Sequence, residues 1–526
     1  MFKEKLKKFF DTKCRIAAFV CSLIWFVLYF ALGSAIFKNM WNTSPAMPIV
    51  GGIIAIIPIL AECMNILFFK NKWLDIGMIV VSLLFCLLFF FMFAFVLSKL
   101  NYFLITGVPY FITIGLLAII VFFAVFYPKL HKDLKKVTAV GLALIIFIIC
   151  LTCLFNVTPF YISGGATVFA VEDEYQIAFS TSHNSIGAIE IDGTTYYDQT
   201  DGENNVSKLH KISVPSEVLD AKRNYSIKTQ SVIINSAYLP SKGRVITNNY
   251  TFRPIDESDG IQIYNLSDTH ECVAGPSKAA SYFGDKLDLL ILNGDIINDI
   301  SSEYQISLIY KLANRITNGS VPVIFTRGNH ECNGKLAADL SKYVGSTENG
   351  MYYTYNIGSS VSMLVLDTNN DMSDDHTLIS PLANFDQVRK AQSEWIKQNA
   401  DWNQGFTHSF VIAHMAYPLS GYQEESCGWH DWAKELVDLT NGKTDLAICG
   451  HSHKTDFIAP GTEDNKIADF PVLRGSLRSN KFGDREGVSP NEFTGTAIEI
   501  VGDKINIKYT NSKNVVMQEF TLKWVE

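Results

Sequence analysis

Apolar residues follow three successive patterns along the chain. Between residues 14 and 162 they form five almost unbroken runs, at about 14–37, 47–69, 74–97, 102–127 and 138–162. Each exceeds the ~20 residues that a helix needs to cross ~30 Å of hydrocarbon. Residues 1–162 are therefore expected to form a transmembrane region of five helices. From 163 to 255 the runs shorten and alternate with polar positions: Ala166–Val171, Tyr175–Thr181, Ile186–Ile191, Lys208–Val214, Asn224–Ile234 and Arg244–Phe252. Such alternation marks half-buried strands, and Asp192-Gly193 is a two-residue hairpin signal. The spacing predicts a small all-β sandwich. Over 258–526, apolar strands such as Ile261–Leu266, Leu287–Leu292 and Val321–Phe325 alternate with amphipathic stretches such as Ser302–Ile316 and Asp386–Asn399. That order predicts a layered α/β domain.

Charge sharpens this division. The 526-residue chain is 48% hydrophobic and 18% charged, with a net charge of −8. Residues 1–162 hold 14 Lys and Arg against 5 Asp and Glu, and residues 163–526 hold 30 against 47. The acidic second part makes nucleic acid an unexpected partner. Twelve basic residues lie in the N-terminus and the second and fourth loops between runs, against Lys38 and Lys99 in the alternate loops. This bias predicts a cytoplasmic N-terminus. Five spans then put residues 163–526 outside the cell, in a multi-pass cell-membrane protein. The first run is long for a signal core and lacks a small-x-small cleavage site, so it reads as an uncleaved anchor. Glu62, inside the second run, is a functional candidate, with a helix–helix hydrogen bond as its plainer role.

Candidate chemistry is confined to the third segment. Asp268-Thr269-His270 follows the first of its strands, and Gly294-Asp295 through Asp299 follows the second. Arg327-Gly328-Asn329-His330-Glu331 follows the third, His414 follows Ser409–Ala413, and Gly450-His451-Ser452-His453 follows Leu446–Cys449. Ligands in open α/β sheets bind beyond the carboxyl ends of the strands, so the five motifs are expected on one rim. Carboxylate, imidazole and amide donors suit Zn, Mn or Fe. On extended backbone Asp268 and His270 would point to one side, as would His451 and His453. Asp295 has two oxygens with which to bridge two ions. Cys272 and Cys332 each lie two residues beyond a motif histidine, which allows a disulfide between them. His183, His210, His376, His408 and His430 match no motif and are expected to have ordinary strand, surface or core roles.

The ordered series DxH, GDxxxD, GNHE, VxxH and GHxH resembles the calcineurin-like metallophosphoesterase family, over roughly 258–510. The β-rich segment 163–255 is similar, on pattern alone, to a fibronectin type III-like domain. The family resemblance implies a layered α/β/β/α sandwich holding two divalent or trivalent metal ions. It implies that Asp268, His270, Asp295 and His453 bind one ion, and Asp295, Asn329, His414 and His451 the other. His330 would be the acid that protonates the leaving group, and Arg327, matching the Ser/Thr phosphatase branch, a phosphate clamp. Glu331 or Asp299 would orient groups behind the ligands. Purple acid phosphatases carry Tyr at the position of Asn298, so no purple iron chromophore is expected. The DRG of the Ser/Thr branch is absent here, and specificity for phosphoproteins does not follow. The loop Gly421–Trp432 and Arg474 are candidates to line the substrate pocket.

The expected function is thus a membrane-anchored extracellular phosphoesterase, hydrolysing phosphate mono- or diesters by in-line attack of a metal-bridging hydroxide. Candidate substrates include nucleotides and envelope lipids or polymers. The alternative is a membrane transporter or sensor in which the phosphoesterase domain is an accessory ligand-binding module.

Overall fold

The computed structural model describes residues 16–20, 22–24, 60, 160–235, 240–422, 428–483 and 489–523. Among these residues no helix is long and apolar enough to cross a membrane. This finding overturns the expected five-helix membrane region as part of the fold class. With it goes the expected multi-pass location with an external catalytic domain. The five apolar runs, Glu62 and the basic loops lie almost wholly outside the described residues. Only 16–20, 22–24 and 60 are described there, a fraction of the ~20 residues a crossing needs.

The first strands in chain order are β1 (Ile162–Val171), β2 (Glu174–Ile191), β3 (Thr194–Tyr197), β4 (Gln199–Thr200), β5 (Glu203–Asn204) and β6 (Ser207–Pro215). Helix α1 (Ser216–Lys222) leads to β7 (Asn224–Ile234) and β8 (Ser241–Thr251). Next come β9 (Ile261–Leu266), α2 (Ala274–Ala279), β10 (Leu289–Asn293), α3 (Glu303–Thr317) and β11 (Pro322–Thr326). They are followed by β12 (Tyr353–Ile357), β13 (Val361–Val365), α4 (Phe385–Gln398), β14 (His408–Ile412), α5 (Gly428–Thr440) and β15 (Leu446–Cys449). The last are β16 (Thr455–Ile458), β17 (Val472–Gly475), β18 (Thr494–Val501), β19 (Lys504–Asn511) and β20 (Val516–Lys523).

The β-rich segment is not a separate sandwich. It continues one twelve-stranded sheet, whose main path is β20-β19-β18-β9-β10-β11-β1-β2-β7-β8. Strand β1 pairs parallel with β11, Val168 opposite Pro322 and Phe169 opposite Val323. Val168–Val171 are all buried, the signature of a strand covered on both faces, as parallel strands are. Helix α3 supplies one cover: the Asn314 side chain accepts from the Ala166 N–H at 3.0 Å. Gly165 makes this approach possible, because a Cβ there would meet Asn314 at 2.1 Å. Lys211 on β6 ties the segment down further, donating to Ser341 O, Val344 O and Ser346 Oγ.

Two of the expected strands merge into β2. Its pairing with β6 shifts register between Ser180 and Ser185, where partnership passes to β7. A buried polar chain holds this irregularity. Ser185 Oγ lies 2.9 Å from Thr181 Oγ1 and 2.9 Å from His210 Nε2, and His210 Nδ1 lies 2.6 Å from Asp198 Oδ2. His210 and Ser185 are wholly buried, so the four residues act as a satisfied internal network.

The second sheet has the order β12-β13-β14-β15-β17-β16. Its strands alternate between two cores. Met363, Val365, Phe410 and Ile412 join the core shared with the first sheet, whereas Leu364, Leu366, Val411 and Ala413 pack with Ile396 of α4 and Trp429, Trp432 and Leu436 of α5. Period-two alternation with both faces apolar thus produces helix, sheet, sheet and helix layers.

Candidate metal centre

Strands β9, β10 and β11 of one sheet and β14 and β15 of the other end on a common rim. Their terminal loops bring together three overlapping clusters: Asp268, His270 and His453; His270, Asp295 and His330; and Asp295, His414 and His451. Within each, the ligand atoms lie within 4.8 Å of one another. His270 Nε2 and His453 Nε2 are 3.0 Å apart, and His414 Nε2 is 3.2 Å from Asp295 Oδ2. Asn329 completes the set, its Oδ1 lying 3.0 Å from His451 Nδ1. All seven expected ligands therefore meet.

The backbone that achieves this is not the extended one expected from alternation. Asp268, His270, Asp295, His451 and His453 all have positive φ, between 45° and 66°. Asp and His are among the residues that tolerate this left-handed region, and strain of this kind gathers at functional sites. Cross-links between loops hold it. Asp268 N–H donates to Gly294 O, His270 N–H to Asp295 O, and Gly450 N–H to His414 O. Asp268 Oδ2 accepts from His451 N–H, and Asp295 Oδ1 from His330 N–H. Gly294, at φ 74°, leaves room for His414, whose Nδ1 would sit 2.4 Å from a Cβ there.

Glu331 is the main internal support. Fully buried, it accepts four backbone N–H groups: Oε2 from Asp295 and Gly328, Oε1 from Ile296 and Ile297. Burial and the neighbouring Asp295 carboxylate push its carboxyl up to about 7. Asp299 does not share the task, since it accepts from Ser301 at the surface.

The donor set fits cations. Asp268 Oδ1 and His414 Nε2 are buried without a hydrogen-bond partner. Asn329 Oδ1 faces only acceptors, the Asp295 carboxylate among them. Nitrogen and oxygen ligands about 2.0–2.2 Å from a metal ion would satisfy each of these contacts. Protonation follows the same layout. Burial pushes His270 and His451 down to about 4, leaving them neutral. Burial pushes Asp268 up to about 6. Burial also opposes charge on His414, but Asp295 and Asp268 raise it to about 10. Asp295 stays well below the ordinary carboxylate range: burial works against it, and His414 and His330 outweigh burial. Nδ1 of His414 lies 2.7 Å from Asn293 O, so with Nδ1 as donor its Nε2 is turned into the site. His330 is held the same way, its Nδ1 2.8 Å from Asn298 O.

Three expectations fare differently. Arg327 is committed to Asp367, with Nε–Oδ1 at 3.1 Å and Nη2–Oδ2 at 2.5 Å, and its guanidinium lies over Phe385. Arg474 forms a two-point pair with Asp456. Cys272 and Cys332 are free thiols, so no disulfide joins them. In the Gly421–Trp432 loop, residues 423–427 lie outside the described residues. Trp429 and Trp432 belong to the core, donating to Thr368 O and Ser393 Oγ. Sequence reasoning missed Asp371 and Arg478, whose charges act on His451 and His270 respectively. Neither belongs to a motif, so nothing in the local sequence marks them.

Residues 261–455 match the family model described as calcineurin-like phosphoesterase. An uncharacterized protein of Schizosaccharomyces pombe is 25% identical over 250 residues, covering 38% of this chain and 47% of that protein. The match thus spans about half the length of that relative. Among solved structures, a purple acid phosphatase from yellow lupin (Lupinus luteus) seeds is similar with TM-score 0.45 at 12% identity, over 68% of this chain and 73% of that one. PhoD is similar with TM-score 0.42 at 10% identity, over 68% and 88%. Residues 261–455 thus carry a calcineurin-like phosphoesterase domain.

Proposed function

We propose that this domain hydrolyses phosphate mono- or diesters with two metal ions that share Asp295. Asp268, His270, Asp295 and His453 would hold one ion, and Asp295, Asn329, His414 and His451 the other. The observation that carries the reading is the position of Asp295: its carboxylate belongs to two of the three ligand clusters, one with His270 and His330 and one with His414 and His451. When bound, such a pair of ions supplies Lewis-acid polarisation of the phosphoryl group and a nucleophile at neutral pH.

The remaining work falls to the chain's own residues. The carbonyls of Asn293 and Asn298 orient the His414 and His330 rings. Glu331 fixes the turn that presents Asp295. His330 Nε2 lies 3.9 Å from Asp295 Oδ2, and the side chain is 39% exposed. With Nδ1 hydrogen-bonded to a carbonyl, Nε2 is the atom that would carry a transferable proton. It faces both the ligands and solvent, as a general acid serving the departing oxygen must.

The test uses the full chain loaded with manganese or zinc, assayed on nitrophenyl phosphate and bis-nitrophenyl phosphate beside Asp295→Asn. Hydrolysis of either ester that disappears in the variant, together with loss of bound metal, supports the reading. An unchanged rate in Asp295→Asn would refute it.

A further inference from the structure

Asn329 and His414, assigned above to one ion, stand on loops of different sheets. Asn329 follows β11 and His414 follows β14. Two such loops bind an ion tightly only when their spacing is set beforehand, because otherwise binding must also order them. A third loop touches both. It follows β13 and runs Leu366-Asp367-Thr368-Asn369-Asn370, and every one of these residues is buried.

On one side Asp367 takes both arms of Arg327, Nε to Oδ1 at 3.1 Å and Nη2 to Oδ2 at 2.5 Å. Arg327 lies two residues before Asn329, and Gly328 between them donates its N–H to Glu331 Oε2 at 2.9 Å. On the other side Thr368 Oγ1 accepts from the Met415 N–H at 3.2 Å, directly after His414. The loop is itself fixed by the helices. Gln392 of α4 accepts from the Asp367 N–H at 2.9 Å and donates to Asp367 O at 3.0 Å. Trp429 of α5 donates to Thr368 O at 3.0 Å. Arg389 of α4 is buried and donates from Nε to Asn369 Oδ1 at 3.0 Å and from Nη2 to Asn370 O. Asn369 is thereby held at φ 43°. Moving the Arg327 guanidinium to a substrate would strand the buried Asp367 carboxylate, which is strongly unfavourable. The pair therefore belongs to the frame of the site.

We propose that Arg327 and Asp367 are positioning residues. Together with Thr368 they set the spacing between Asn329 and His414, and so the affinity for the one ion that those two ligands share. This rests on the two-ion phosphoesterase reading above. His270 and His453, assigned to the other ion, stand on the loops after β9 and β15, and none of these bonds reaches them. The effect therefore falls on one ion of the two.

The experiment titrates manganese by calorimetry into the metal-free full chain, as wild type, Arg327→Gln, Asp367→Asn, their double variant and Thr368→Val. His270→Ala and His414→Ala serve as references that tell the two ions apart, and the thermal midpoint of each metal-free chain is read alongside. The wild type should take up two ions. Arg327→Gln and Asp367→Asn should each weaken the ion that His414→Ala weakens, by about 10- to 100-fold, and leave the other in place. The double variant should lose no more than the worse single, because the pair acts as a unit. Thr368→Val, which replaces one hydroxyl by a methyl, should weaken the same ion by a smaller factor. Both ions kept at wild-type affinity in the variants would overturn the inference, and a raised KM for nitrophenyl phosphate in that case would return Arg327 to the substrate. Equal weakening of both ions with a lowered midpoint would overturn it in favour of a general structural role. Wild type that binds fewer than two ions would overturn the two-ion reading along with it.

Discussion

Replacing Glu331 by Gln removes one charge and almost no volume, yet it should disable the site. Each carboxylate oxygen now accepts two backbone N–H groups, at 2.8 and 2.9 Å on Oε2 and at 2.8 and 3.1 Å on Oε1. Glutamine offers one oxygen and one NH2. Whichever way the amide turns, its NH2 faces two buried N–H donors. Two orphaned donors at about 1–3 kcal/mol each give a loss of about 2–6 kcal/mol. That is a large share of the 5–15 kcal/mol typical of a folded domain. The chain can relieve part of the cost by letting the Asp295 turn relax from its positive φ, and the shared ligand then moves. Metal affinity should fall as well, by about 10- to 100-fold, as is common when a group supporting ligands is removed. The assay is urea unfolding of the metal-free full chain, followed by metal content after dialysis. A wild-type unfolding midpoint together with wild-type metal content in Glu331→Gln would refute the claim that this carboxylate holds the turn.

Three further changes probe separate parts of the argument. His330→Ala should keep its metal and slow alkyl phosphate hydrolysis by about 10²–10⁴-fold, with nitrophenyl esters slowed much less; equal slowing of both would remove His330 as the acid. Gly294→Ala puts a Cβ 2.4 Å from His414 Nδ1 at a positive φ, so its bound metal and melting temperature should both fall, and wild-type values would show that the loop can adapt. Lys211→Met takes the Lys211 donor from the Val344 carbonyl, while Ser341 O keeps Ser346 Oγ, and should cost about 1–3 kcal/mol for the group left unsatisfied, read by urea unfolding. Burial pushes Lys211 down to about 8, against about 10.4 in an unfolded chain. Between those values the unfolded chain binds more protons, so wild-type stability should rise with pH across that window. The slope should vanish in Lys211→Met, and a slope that persists would assign it to another group.

The candidate cluster was legible in the sequence because each of its residues follows an apolar strand, and strands that share a sheet end on a common rim. Asp268, His270, Asp295, Asn329, His330, His414, His451 and His453 could all be named from motif order alone. Alternation assumed extended backbone at Asp268-x-His270 and His451-x-His453, and left-handed φ leaves no trace in hydrophobic pattern; Asp268 and His270 do share a cluster, whereas His451 and His453 fall in different ones. Glu331 was visible as a supporting residue, but its four N–H partners come from two loops and appear only on folding. Arg327 shows the limit of motif transfer. Its partner Asp367 lies forty residues away, and only the tertiary structure decides whether a guanidinium faces substrate or a buried carboxylate.

The β-rich segment makes the same point at the level of the fold. Its strands were readable from period-two alternation, and the Asp192-Gly193 hairpin forms with positive φ at both residues. Strand partnership was not readable, because backbone hydrogen bonds are the same for every residue and carry no address. Local features are written in the chain: which stretches are strands or helices, and which side chains can ligate. Long-range features arise on folding: that β1 runs parallel to β11, that Lys211 closes the loop over 341–346, and that Asp367 holds Arg327. Those outcomes depend on which apolar faces and buried charges find one another across the fold, and no single segment encodes its partner.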